Sequence, residues 1–173
     1  IRLSLVGSEM CIRDRDRLRP QVDSVILSAN GDPSRFDGLG CMVVPDEASQ
    51  GPLSGILAAL RQAKALGATH VVSTPVDTPF LPDDFVARLQ VAAATAPEGL
   101  ALARTADGDH PASALWPVSL AGPLTVFLAE GGAKVTRFTD AHGAARADFP
   151  DADAFLNLNT AEDLAAAKGL LEG

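Results

Sequence analysis

The residues best suited to chemistry are polar groups set at the ends of apolar runs. Val71-Val72-Ser73-Thr74-Pro75-Val76 is rich in β-branched residues and ends on Asp77, between Pro75 and Pro79. A carboxylate in apolar surroundings is costly unless something pairs with it. At the carboxyl end of a buried strand it is well placed to hold a divalent cation. Capping the following turn is the other ordinary use of such an Asp. Val25-Ile26-Leu27-Ser28 leads in the same way to Asn30, and Cys41-Met42-Val43-Val44 leads through Pro45 to Asp46. Asn30 also suits a loop, and Asp46 a turn after proline. Gly51-Pro52-Leu53-Ser54-Gly55 precedes an apolar repeat at helical spacing. Its glycines let backbone approach a ligand closely, and free N–H groups at a helix start suit polar ligand atoms. A plain helix start with proline in its first turn is compatible with both.

The elements that must position these residues alternate. Strands are expected over 22–28, 41–44 and 69–76. A helix is expected from 56 to 66, stopped by Gly67. Pro82-Asp83-Asp84 opens a further helix reaching about residue 94, with acids favouring its dipole. Strands at 100–103 and 112–118 flank the polar segment Asp107-Gly108-Asp109-His110-Pro111, which reads as a loop. Helices follow at 124–129 and 135–141, then a short strand at 154–158. Thr160-Ala161-Glu162-Asp163 resembles a capping box opening a last helix. Strands alternating with helices predict a mostly parallel sheet covered on both faces, with ligands at the carboxyl ends of its strands.

Composition narrows the function. The net charge of −8 argues against general binding to nucleic acid or acidic membranes, which needs basic patches. Anionic substrates would have to be met by a metal, by backbone N–H groups or by a few placed cations. No window is long and apolar enough to span a bilayer. No export signal is legible at the start, so a cytoplasmic location is expected. Cys11 and Cys41 show no metal-type spacing and read as reduced thiols. His70, His110 and His142 lack the spacing of a zinc set. Val6-Gly7-Ser8 is not followed by the glycines and Lys of a phosphate loop. The string from Leu5 to Arg15 resembles translated sequencing-adapter DNA. Residues 1–15 are therefore expected to be a foreign leader, ahead of a single domain over 16–173.

Several motifs, in order, carry a wider resemblance. They are Val25-Ile26-Leu27-Ser28-Ala29-Asn30, Val43-Val44-Pro45-Asp46, Gly51-Pro52-Leu53-Ser54-Gly55, Pro75-Val76-Asp77-Thr78-Pro79-Phe80, His110-Pro111 and Asn157-Leu158-Asn159-Thr160. Together they resemble the molybdenum cofactor guanylyltransferase (MobA) family over nearly all of residues 16–173. The resemblance implies a mostly parallel, Rossmann-like nucleotidyltransferase fold of three α/β/α layers. It implies transfer of GMP from GTP onto Mo-molybdopterin, with release of pyrophosphate. Asp77 corresponds to the catalytic Mg²⁺ ligand, for which one carboxylate suffices because Mg²⁺ keeps water and substrate oxygens. Ser28, Asn30, Asp46, Gly51, Pro52, Leu53, Gly55 and Asp77 correspond to the nucleotide site. Asp46 can accept from ribose hydroxyls or the guanine N–H edge. Ser28 stands where the family often has Asn and reaches less far. His110, Lys134, Arg137, Asn157 and Asn159 correspond to the half that receives molybdopterin. A solvated helix face is the alternative for Lys134 and Arg137, and a helix cap for one of the two asparagines.

The family opens with a strand and a signature close to Leu-x-Gly-Gly-x-Ser-x-Arg-Met-Gly followed by Lys, which this chain lacks. The resemblance therefore implies a fold without its first strand and Gly-rich loop, and an impaired fragment. Losing even one such donor costs on the order of a hundredfold in rate. Ile1, Leu3 and Leu5 alternate, so residues 1–8 suit the vacant strand position. A monomer is expected, meeting molybdoenzymes or their chaperones only transiently. The alternatives are a cytidylyltransferase, a sugar-nucleotide transferase, or a non-catalytic carrier of molybdopterin.

Overall fold

Leu100 and Leu102 face one side of the sheet while Ala101 and Ala103 face the other, and this alternation divides the core in two. The computed structural model describes residues 15–29, 33–45, 51–76 and 78–156. Six strands are formed among them: β1 (Ile26–Ser28), β2 (Met42–Val44), β3 (His70–Ser73), β4 (Ala101–Thr105), β5 (Gly108–Pro117) and β6 (Ala145–Asp148). β1 and β2 pair in parallel. The other four form a sheet in the order β3-β5-β4-β6. In it β4 and β6 are parallel, and β5 alone runs against its neighbours.

Four helices cover these strands: α1 (Pro52–Ala65), α2 (Phe85–Ala93), α3 (Ala121–Ala129) and α4 (Val135–Ala141). On one face, Leu53, Ile56 and Leu60 of α1, Leu124 of α3 and Phe138 of α4 pack on Leu102, Ala114 and Trp116. On the other, Phe85, Val86 and Leu89 of α2 join Leu115, Ala147, Phe149 and Phe155. The result is an α/β/α layering, as the alternation of elements predicts. The helical turns over 15–21 pack beside α2. Gln21 ties them there, accepting from the Val86 amide at 2.9 Å and donating to the Pro82 carbonyl at 3.0 Å. Among the described residues no helix is long and apolar enough to cross a membrane.

The structure departs from the sequence reading at several places. The segment 107–111, expected as a loop, is mostly strand: β5 starts at Gly108, and Thr105 pairs with Gly108 across a tight turn. The register shifts between Leu102 and Ala103, so residues between His110 and Ala114 bulge out of the ladder. Pro111 lies in that bulge, where a missing N–H costs no ladder bond. In the segment expected as a strand at 154–158, the described part is instead a 3-10 turn over Ala152–Phe155. The Asp151 carboxylate accepts from the Asp153 amide at 2.9 Å and bends the chain there. The strand lies earlier, at β6. The strand expected over 22–28 is shorter, Ile26–Ser28, and the helix expected at 56 begins already at Pro52. The last expected helix, from Thr160, lies outside the described residues.

Candidate functional site

The parallel register of β1 and β2 sets Ile26 against Met42 and Ser28 against Val44. Their carboxyl ends therefore lie side by side, and the Ala29 amide donates to the Val44 carbonyl at 3.1 Å. Val76, beyond the end of β3, packs with Cys41 and Val43 against the small cluster of Leu27, Ala29 and Phe36. The chain leaving β3 thus comes to the same end as β1 and β2. Asn30, Asp46 and Asp77 themselves lie outside the described residues. What is described is the stem that leads into each.

The stem at β3 is held by hydroxyls that sequence reasoning passed over. Thr78 is 1% exposed. Its hydroxyl donates to the Pro75 carbonyl at 2.8 Å and lies 3.1 Å from the Thr74 hydroxyl. These bonds bracket position 77 from both sides. One turn earlier, Ser73 Oγ donates to the Ala112 carbonyl at 2.7 Å and accepts from the Trp116 indole N–H at 2.8 Å. The end of β3 is thereby fastened to β5. The only available signal was the repetition of Ser and Thr around Asp77, and hydroxyls are too common at strand ends to single out.

Gly51 opens α1 with φ +84° and ψ −165°, a region other residues rarely adopt, and Pro52 follows in the first turn. The Ser54 hydroxyl donates to the Gly51 carbonyl at 2.8 Å and closes that turn. Leu53 is fully buried in the core, so only its backbone remains for a ligand. Gly55 and Ile56 line a cavity of about 640 Å³ together with Ser28, Thr74 and Pro75. Polar oxygens near this strand end include the hydroxyls of Ser28 and Thr74, within a lining that is otherwise largely apolar. Hard divalent cations take that donor type, and an acid at 77 completes it chemically. Among the described residues no group of three or more His, Cys, Asp or Glu could hold a metal ion. Cys41 lines the same cavity, and burial pushes its thiol pKa up, against the opposing pull of Arg15.

The second group of expected site residues is not brought together. The His110 ring stacks on Phe155 at 4.7 Å, and its Nε2 lies 2.9 Å from the Thr105 hydroxyl. Burial holds its pKa below the ordinary value of 6.5, against the opposing pull of Asp107 and Asp109. Phe155 belongs to the core on the α2 face. Lys134 and Arg137 sit instead at the start of and within α4, which packs on the opposite face. Both are exposed, and the Arg137 guanidinium lies 5.8 Å from the centre of the Phe127 ring. Asn157 and Asn159 lie outside the described residues.

Comparison with known proteins agrees with this architecture. A family model described as a MobA-like NTP transferase domain matches residues 2–146. The chain is 52% identical over 170 residues to a molybdenum cofactor guanylyltransferase of Cereibacter sphaeroides, covering 98% of this chain and 86% of that protein. It resembles the crystal structure of molybdopterin-guanine dinucleotide biosynthesis protein A from Archaeoglobus fulgidus at a TM-score of 0.70 and 18% identity, covering 94% of this chain and 85% of that one. A manganese complex of Rv0371C from Mycobacterium tuberculosis matches at a TM-score of 0.61 and 21% identity, over 95% and 86% of the two chains.

Proposed function

Because the chain belongs to the MobA-like NTP transferase family, we propose that its site is built to transfer GMP from GTP onto the terminal phosphate of Mo-molybdopterin. The products are molybdopterin guanine dinucleotide and pyrophosphate. The observation that carries this reading is the convergence of the ends of β1, β2 and β3 beside the start of α1. A nucleotide laid across strand ends at a helix start is the usual arrangement of such sheets.

In this reading a phosphate oxygen of the pterin attacks the α-phosphorus of GTP and the bond to pyrophosphate breaks. No protein nucleophile is needed. Asp77 holds Mg²⁺, which when bound neutralises charge on the α-phosphate and the leaving pyrophosphate. Asp46 and the backbone of Gly51 to Gly55 receive guanine and ribose, with Ser28 and Asn30 beside them. His110, Asn157 and Asn159 receive the pterin. Lys134 and Arg137 supply positive charge to its phosphate only if the pterin reaches round to the α4 face. The enzyme acts as a cytoplasmic monomer, meeting its molybdoenzyme clients transiently.

Calorimetric titration of the purified chain with Mg²⁺ and either GTP or CTP tests the assignment, alongside pyrophosphate release on adding Mo-molybdopterin. GTP is expected to bind at least about tenfold tighter than CTP, a difference of about 1.4 kcal/mol. Asp77→Asn is expected to remove the Mg²⁺ dependence of binding. A preference for CTP would make the protein a cytidylyltransferase. Pterin binding with no nucleotide binding would make it a carrier.

A further inference from the structure

We propose that the outer side of α3, with Arg61 on one flank and Arg137 on the other, is a docking surface for an acidic partner protein. α3 carries no charged residue, and Ala121-Gly122-Pro123-Leu124-Thr125-Val126-Phe127-Leu128-Ala129 is apolar nearly all round. A helix of that kind is ordinarily buried on every side. Here only Ala121 and Leu124 are buried. Val126 lies about opposite Leu124 on the helix and is 57% exposed, with Pro123 and Ala129 exposed beside it. Exposed apolar surface with a polar rim is a mark of an interaction site.

The rim is positively charged. Arg61 of α1 donates to the Thr125 hydroxyl at 3.3 Å, which places it on one flank of α3. The Arg137 guanidinium lies 5.8 Å from the centre of the Phe127 ring, on the other flank. That flank has a firm floor. The Phe127 ring is edge-on to Phe138 at 5.3 Å, and a Cβ at Gly132 would come within 2.5 Å of it. Lys64, one turn after Arg61, and Lys134, at the start of α4, extend the two flanks. All four cations are exposed. Neither α1 nor α3 contains Asp or Glu. Asp140 of α4 is bonded to Arg146, and Glu130, just past α3, is the acid beside this surface. This concentration of cations stands against a net charge of −8 for the whole chain.

An apolar centre rimmed by cations fits a protein surface that sets carboxylates around apolar side chains. The rim charges steer and orient such a partner, and the centre is desolvated. A second copy docking through a two-fold axis would bring like charges together. Nucleic acid and anionic membranes carry continuous negative charge, which would also meet the acidic remainder of the molecule.

Selection from a displayed library of random peptides, on the full chain and on its Arg61→Glu, Arg137→Glu variant, tests the proposal. Peptides captured by the parent are expected to combine Asp and Glu with Leu, Phe or Trp. They should bind the variant at least about tenfold more weakly. In NMR spectra of the parent chain they should shift the Val126 methyl and Thr125 amide signals, a readout that does not depend on the variant folding. No capture, equal capture by both chains, peptides without carboxylates, or shifts that leave α3 untouched would each overturn the proposal. Displacement of the peptides by inorganic phosphate at constant ionic strength would overturn it as well, by assigning the cations to a phosphate ligand. So would dimerisation of the parent that the variant loses, which would assign the face to a second copy.

Discussion

At the residue scale the fold rests on single polar groups held by burial. His110 shows the balance. Its ring is stacked on Phe155 and half-buried, so burial disfavours the protonated form although Asp107 and Asp109 favour it. The folded-state pKa is below the unfolded value, so the unfolded chain binds more protons between the two. Stability is then complete above about pH 6.5 and declines as pH falls below it. Urea midpoints measured at steps from about pH 7.5 to 5.5 should fall with acidification in the parent, and fall less in His110→Gln. Ser73 and Thr78 illustrate the same dependence on partners. Among the described residues, the indole N–H of fully buried Trp116 finds its acceptor in Ser73 Oγ.

At the element scale, the proposed nucleotide site depends on how α1 begins. Its ends are both set by glycine. Gly67, at φ +77°, closes the last turn by donating to the Lys64 carbonyl at 3.1 Å. Gly51 sets the opposite end with its positive φ. A Cβ at Gly51 would meet nothing within 4 Å, so the penalty there lies in the backbone and not in crowding. Gly51→Ala should cost about 1–3 kcal/mol of stability by chemical denaturation. The re-aimed first turn should also weaken GTP binding. Unchanged stability would mean that the start of the helix simply shifts to another conformation.

At the scale of the whole molecule, charge is the governing constraint. A protein of net charge −8 that binds a nucleoside triphosphate needs a counterion for it. GTP with Mg²⁺ should therefore raise the melting temperature, by the equivalent of about 2.7 kcal/mol when ligand is a hundredfold above its dissociation constant. GTP with a chelator should raise it little. A shift independent of divalent cation would argue that backbone and side-chain donors alone hold the phosphates. Two of the surface cations are engaged elsewhere. Arg146 bridges Asp109 at 3.1 Å and Asp140 at 2.5 Å, and Arg104 bridges Asp148 at 2.7 Å.

The sequence by itself determined the alternation of elements, the position of α4 and the stop at Gly67. Those features follow from side-chain periodicity and from glycine and proline, which act over a few neighbouring residues. Tertiary structure decided the rest. It reversed β5 within the sheet, and it drew the polar segment at Gly108 into a strand because β4 offered an edge to pair with. β6 has too little alternation to be read alone, and forms because β4 accepts it in parallel. The same sheet puts Phe155, with His110 stacked on it, and helix α4, with Lys134 and Arg137, on opposite faces, a separation no spacing along the chain could show. Pairing and burial join residues far apart in sequence, and their energies depend on partners that local pattern does not name.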